Sequence, residues 1–167
     1  GEDLPVMPVD HPLTFFGPYT EFAGTGKEIG FPLMRDQGNS AYMRDTGDPT
    51  TSEGGMIEWG YYEETDPRLV HPRDLLEKEQ ARLSPSQRDL DMEQILEPLE
   101  RAIELTPILG ELGYDERRSF NGLLQVTADG GPSMGESQKV RGLWYAVAIW
   151  VKDGPGMGKL IADWMTD

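Results

Sequence analysis

The stretch from Phe120 to the end of the chain constrains the fold most. It contains Phe120-Asn-Gly-Leu-Leu-Gln-Val-Thr127, Asp129-Gly-Gly-Pro132, Gly142-Leu-Trp-Tyr-Ala-Val-Ala-Ile-Trp150 and Gly154-Pro-Gly-Met-Gly-Lys159. β-Prone runs separated by Gly/Pro clusters predict a strand over 119–127, a turn over 129–132 and a second strand over 143–151. The second run is almost wholly apolar, which predicts burial on both faces. A glycine loop then leads into a closing helix whose Leu160, Ile161, Trp164 and Met165 form one stripe. This layout brings backbone and a helix N-terminus up against a flat or anionic cofactor.

Earlier in the chain, Leu13-Thr-Phe-Phe16 predicts a short strand ended by Gly17-Pro18, and residues 21–27 read as loop. Phe31-Pro-Leu-Met34, the turn Asp36-Gln-Gly-Asn39 and Ser40-Ala-Tyr-Met-Arg44 follow. The turn-rich residues 45–55 then separate this last run from Met56-Ile-Glu-Trp-Gly-Tyr-Tyr62, which predicts two strands joined by a long loop. Residues 63–88 are charged and sparsely apolar, as expected of a surface excursion with one short helix. Asp91 can cap a helix in which Ile95, Leu96, Leu99, Ala102 and Ile103 line one side. Pro98 would kink that helix, so the pattern favours a start at Glu97 with Pro98 in the first turn and an end at Thr106-Pro107. The fold class that results is α+β: a mainly antiparallel sheet covered on one face by the helix near 98–106 and by the closing helix.

A chain of 167 residues, 37% hydrophobic, is long enough for one domain with a core. Its net charge of −15 repels phosphate backbones and anionic bilayers, so nucleic acid and membrane are not expected partners. No run approaches the roughly 18 apolar residues of a membrane span, and a soluble chain is expected. The lack of cysteine excludes disulfides, thiolate catalysis and cysteine zinc sites. Only His11 and His71 offer imidazole, the carboxylates follow no metal-ligand spacing, and no metal is assigned.

The loop Gly154-Pro-Gly-Met-Gly-Lys159 is not a P-loop, because Asp153 stands where the first glycine is needed and Leu160 replaces the hydroxyl. It lacks Gly-x-Gly-x-x-Gly as well, and taken alone it is a structural turn. Phe120-Asn-Gly122, Thr127, Asp129-Gly-Gly-Pro132, Gly135-Glu-Ser137 and Ala148-x-Trp-Val151 give it more weight. With residues 6–47, they resemble the flavin-dependent amine oxidoreductases of the dimethylglycine oxidase, dimethylglycine dehydrogenase and sarcosine dehydrogenase family. The middle of the chain matches that family poorly.

The resemblance implies that the backbone of Ile149, Trp150, Val151 and Lys152 contacts FAD, beside a helix whose dipole favours negative charge on the reduced ring. Asp153-Gly154-Pro155 departs from the His-Ser-Ala of the family's oxidases. His11, in Val9-Asp10-His11, matches an active-site histidine near the amine, where it would take a proton from the substrate ammonium or help hold the neutral amine. Read on its own, His11 is a solvated or hydrogen-bonded bystander at a strand start. Pro12-Leu13 stands where the oxidases have Gln-Tyr. Tyr42, within Ala41-Tyr-Met-Arg-Asp-Thr-Gly-Asp48, matches a family tyrosine and would bond His11, fix its tautomer and wall the flavin; otherwise it is a strand tyrosine packing on its neighbours. Trp59, Tyr61 and Tyr62 suit either an aromatic cage for a methylated ammonium or, more simply, a strand face packed on the helix. His71 is given no role.

The family implies oxidative demethylation of an N-methyl amine of the dimethylglycine or sarcosine type, by hydride transfer to flavin N5. It also implies a downstream tetrahydrofolate module, and a setting in the bacterial cytoplasm or the mitochondrial matrix. The family's Rossmann fingerprint for the ADP half of FAD does not occur in residues 1–167, and the chain begins at Gly1. The expectation is therefore the substrate-binding portion of a larger flavoprotein, with 118–167 as its flavin-contact segment, inactive without the remainder. The alternative is a non-catalytic docking module that keeps the fold and engages a protein or basic ligand through its acidic surface.

Overall fold

The computed structural model describes residues 3–50, 54–63, 67–71 and 86–166. Five antiparallel strands form the main sheet: β1 (Val6–Phe16), β2 (Met34–Asp36), β3 (Ala41–Asp45), β4 (Ile57–Tyr61) and β5 (Phe120–Thr127), in the order β2-β3-β4-β1-β5. Helix α1 (Met92–Leu105) packs on one face. A hairpin of β6 (Ser133–Glu136) and β7 (Trp144–Val147) leads to helix α2 (Gly154–Thr166). The α+β class with a mainly antiparallel sheet is the one expected. No helix among the described residues is long and apolar enough to cross a membrane.

Period-two alternation divides the sheet between two tasks. Phe16, Ala41, Met43, Ile57, Trp59 and Tyr61 face α1, where Ile95 and Ala102 meet them with Tyr19, Phe22 and Leu109. Trp59 and Tyr61 stack at 6.2 Å in this core, so their packing explanation holds and they form no cage. The opposite positions turn to the other face. One row there crosses all five strands through the pairs Arg35↔Tyr42, Tyr42↔Gly60, Gly60↔Leu13 and Leu13↔Phe120.

β1 is longer than Leu13–Phe16 alone predicts, and it runs through Pro8 and Pro12. Pro8 and Pro12 share the parity of Asp10, whose N–H goes to the Arg68 carbonyl at 3.0 Å, so their missing donors point to the β4 side of the strand. Pairing with β4 begins only at Leu13; before it this edge meets the short bridge of residues 68–70, where the Pro8 carbonyl accepts from Val70 N–H at 2.9 Å. Two buried carboxylates secure the loops around β3. Asp45 accepts from the backbone N–H of Gly30 (2.6 Å), Phe31 (2.9 Å) and Gly47 (3.0 Å), and Asp48 from those of Gly26 (2.8 Å) and Thr50 (2.9 Å). Those donors hold the Asp48 carboxyl down at about 2.

Several expectations are corrected. α1 starts at Met92, not Glu97: Asp91 caps it by accepting from Glu93 N–H at 3.0 Å, and Pro98 lies inside it, buried against the sheet. Burial of the proline ring and the cap together outweigh the one backbone bond that Pro98 removes. Leu96 is exposed, whereas Ile95, Leu99, Ala102 and Ile103 form the packing side. β2 at Met34–Asp36, which pairs with β3, takes in Asp36, the first residue of the turn expected over 36–39. The strand predicted over 143–151 shrinks to β7, none of whose residues is fully buried, and Val151 is 97% exposed. β7 pairs with β6, which was not expected, and not with the main sheet. The glycines at 154, 156 and 158 are in helix and form no loop. α2 buries no residue and leaves Leu160, Trp164 and Met165 open, so it does not cover the sheet. The short helix expected within 63–88 falls largely outside the described residues.

Candidate functional site

Away from α1, the sheet face carries a hollow of about 480 Å³, and a second of about 600 Å³ adjoins it at the β5 edge; the two share Tyr62, Leu124, Trp150 and Lys152. β1 supplies Val9 and His11, β5 supplies Leu124 and Val126, and the turn after β7 supplies Trp150 and Lys152. The start and the end of the chain thus meet at one cleft. Its floor is apolar because these positions on β1 and β5 are Val, Leu and Val. Arg35 and Lys152 add positive charge at the edge.

His11 Nε2 lies 2.9 Å from the Tyr42 hydroxyl. Its ring stacks on Tyr62 with centroids 4.6 Å apart, and Tyr62 stacks in turn on Trp150 at 5.7 Å and 16°. Arg35 sits over the Tyr62 ring at 5.0 Å, a cation–π contact. Burial lowers the His11 pKa from 6.5 to about 4, offset only in part by the Tyr61 backbone carbonyl, and the ring is neutral at pH 7. Nδ1 is buried, and among the described residues it has no hydrogen-bond partner beyond that carbonyl. Burial, reinforced by Tyr62 and Glu58, raises the Tyr42 phenol above the usual tyrosine range, so that it stays protonated and donates to Nε2.

The loop that carries Trp150 is tied to the sheet. Ala148 adopts φ +55, a left-handed conformation unusual for alanine, and its N–H donates to Gln125 Oε1 on β5 at 3.1 Å. The chain then turns through Trp150 and Lys152, with Gly154 N–H returning to the Trp150 carbonyl at 3.1 Å, and enters α2. Lys152 pairs with Asp153 at 2.7 Å. Beneath the cleft, Asp10 forms an ion pair with Arg88, both largely buried.

A family model described as FAD dependent oxidoreductase (DAO) matches residues 1–164. The chain belongs to this family. As a member of the FAD-dependent oxidoreductases, it offers surfaces that fit the ring system of that cofactor: a flat Tyr62–Trp150 wall, an apolar floor, an uncharged imidazole and a cation at the edge. Of the residues singled out in the sequence, His11 and Tyr42 are hydrogen-bonded, Trp150 and Lys152 line both hollows, and Ile149 and Val151 line the larger one. His71 is exposed. Sequence reasoning missed Arg35, Leu124, Val126 and Gln125. The signal for Arg35 was its place just before the turn Asp36-Gln-Gly-Asn39, which sets it opposite Tyr42.

Proposed function

We propose that this FAD-dependent oxidoreductase chain forms the substrate side and flavin-facing edge of an enzyme that oxidatively demethylates an N-methyl amine of the dimethylglycine or sarcosine type. The observation that carries the reading is a neutral, buried His11 bonded to Tyr42 in the cleft reached by Trp150 and Lys152. FAD, when bound, supplies the acceptor for the hydride that leaves the N-methyl carbon. Ile149, Trp150, Val151 and Lys152 would hold its ring system.

The chain's own residues manage the amine. Loss of hydride from carbon requires the nitrogen lone pair, so the ammonium must first give up its proton. A neutral imidazole presents that cation with an acceptor and not with a second positive charge. The Tyr42 hydroxyl fills the one free lone pair of Nε2, so the proton reaches His11 through it: the ammonium gives its proton to the Tyr42 oxygen as the Tyr42 proton passes to Nε2, which leaves a neutral amine, a neutral phenol and an imidazolium. The stacked Tyr62 and Trp150 rings offer π faces to the methylated nitrogen.

On this reading the ADP half of FAD is held by a separate dinucleotide-binding unit, and the one-carbon product passes to tetrahydrofolate or water in the bacterial cytoplasm or mitochondrial matrix. The test combines the chain with FAD and a separately expressed dinucleotide-binding half. Quenched flavin fluorescence and demethylation of dimethylglycine or sarcosine are expected. Flavin binding with no turnover of any N-methyl amine would refute the substrate assignment, and absence of both would favour the docking module.

A further inference from the structure

Tyr42 stands on β3 and His11 on β1, and β4 lies between them. For the phenol to reach the imidazole it must cross β4, and the residue opposite Tyr42 on that strand is Gly60. A Cβ at Gly60 would overlap Cζ and Oη of Tyr42 and stand 2.6 Å from its Cε1. The backbone there is ordinary strand, with no left-handed φ that would call for glycine. The neighbours of Gly60 along β4, Trp59 and Tyr61, are large and face the core. The one missing side chain is thus the one that would block the crossing.

We propose that Gly60 is a positioning residue for the proposed amine oxidation: its bare backbone is the passage through which Tyr42 reaches His11, and any side chain there uncouples the pair. The inference rests on the reading of His11 and Tyr42 given above. Tyr42 has little room to give way, because its ring also lies 5.4 Å from Tyr62 and Arg35 flanks the same row. A methyl at Gly60 therefore moves the phenol off Nε2, opening one edge of the His11 ring to water. Among the described residues, the charged and titratable groups that bond this ring, stack on it or line its hollow are Tyr42, Tyr62, Asp10, Arg35, Glu63 and Lys152. The three atoms nearest to a Cβ at Gly60 all belong to Tyr42.

The test follows the imidazole ¹⁵N resonances of the chain across pH for wild type, Gly60→Ala, Tyr42→Ala and the Gly60→Ala/Tyr42→Ala double variant. Gly60→Ala is expected to shift Nε2 and to raise the His11 midpoint by at least about half a pH unit, since both the lost bond and the added water favour the charged ring. The same methyl is expected to be silent once Tyr42 is alanine. An unchanged Nε2 signal in Gly60→Ala overturns the inference. So does a Gly60→Ala effect that persists in the Tyr42→Ala background. Should Gly60→Ala fail to fold, recovery of folding in the double variant supports the crossing, and continued failure overturns it. None of these readouts uses FAD or turnover, so a failed demethylation assay and a failed Gly60 test are told apart.

Discussion

Replacing His11 by glutamine removes an imidazole that the fold keeps uncharged, and the cost of that burial is measurable as a pH dependence of stability. The folded-state pKa of about 4 lies below the value of 6.5 for a free histidine. Between those limits the unfolded chain binds more protons than the folded one, so stability falls as pH drops from 6.5 towards 4 and is unaffected by His11 above that window. At pH 4.5 the linkage amounts to about 2–3 kcal/mol, an upper figure for a ring that is mostly but not fully enclosed. Urea unfolding of wild type and His11→Gln at pH 7.5 and 4.5 isolates it, because every other titratable group is common to the two proteins and cancels in the difference. Wild type is expected to lose about 2–3 kcal/mol more than His11→Gln between the two pH values. Parallel losses in the two proteins would mean that His11 ionises as it does in water, and the neutral acceptor at the centre of the site would be refuted.

Tyr42→Phe keeps the ring but strips Nε2 of its partner, and should cost about 1–2 kcal/mol in urea unfolding while raising the His11 midpoint measured by NMR. Asp45→Ala leaves the N–H groups of Gly30, Phe31 and Gly47 without an acceptor, and a loss of about 3 kcal/mol is expected by the same unfolding assay. At Gly47, φ is +85 and a Cβ would overlap the Glu28 carbonyl, so Gly47→Ala should destabilise by about 3 kcal/mol or more; a neutral result would show that this loop relaxes freely. Gln125→Ala cuts the tether to Ala148 and should weaken FAD binding, read by fluorescence titration of the reconstituted protein, while leaving the His11 resonances in place.

The main sheet was legible where alternation is strong. Ala41, Met43 and Asp45 alternate with Tyr42 and Arg44, and the long turn-rich loop before Ile57 announces the β3–β4 pair. β1 was harder, because Pro8 and Pro12 punctuate it; both are acceptable because the β4 ladder begins only at Leu13, which no local pattern shows. The Pro98 problem is similar, since the sequence shows the lost hydrogen bond but not the burial that offsets it. The apolar run 143–151 misled because hydrophobicity states that a residue prefers cover without saying what covers it, and the same holds for the stripe on α2. At the site, His11, Tyr42 and residues 149–152 were singled out only through the family resemblance. Arg35, Leu124 and Val126 join them through strand pairing, which no local pattern reveals.

β1 has partners along both edges, and its odd and even residues answer to different masters: His11 and Val9 to the cleft, Thr14 and Phe16 to the core. Inserting a single residue between Pro12 and Phe16 would shift one half of the strand's reading frame against the other. Either the imidazole would be driven in among Trp59 and Ile95, or Phe16 would be turned out of that company. Chemistry and folding therefore share one phase along this strand, and lineages carrying it can exchange side chains there far more readily than they can change its length.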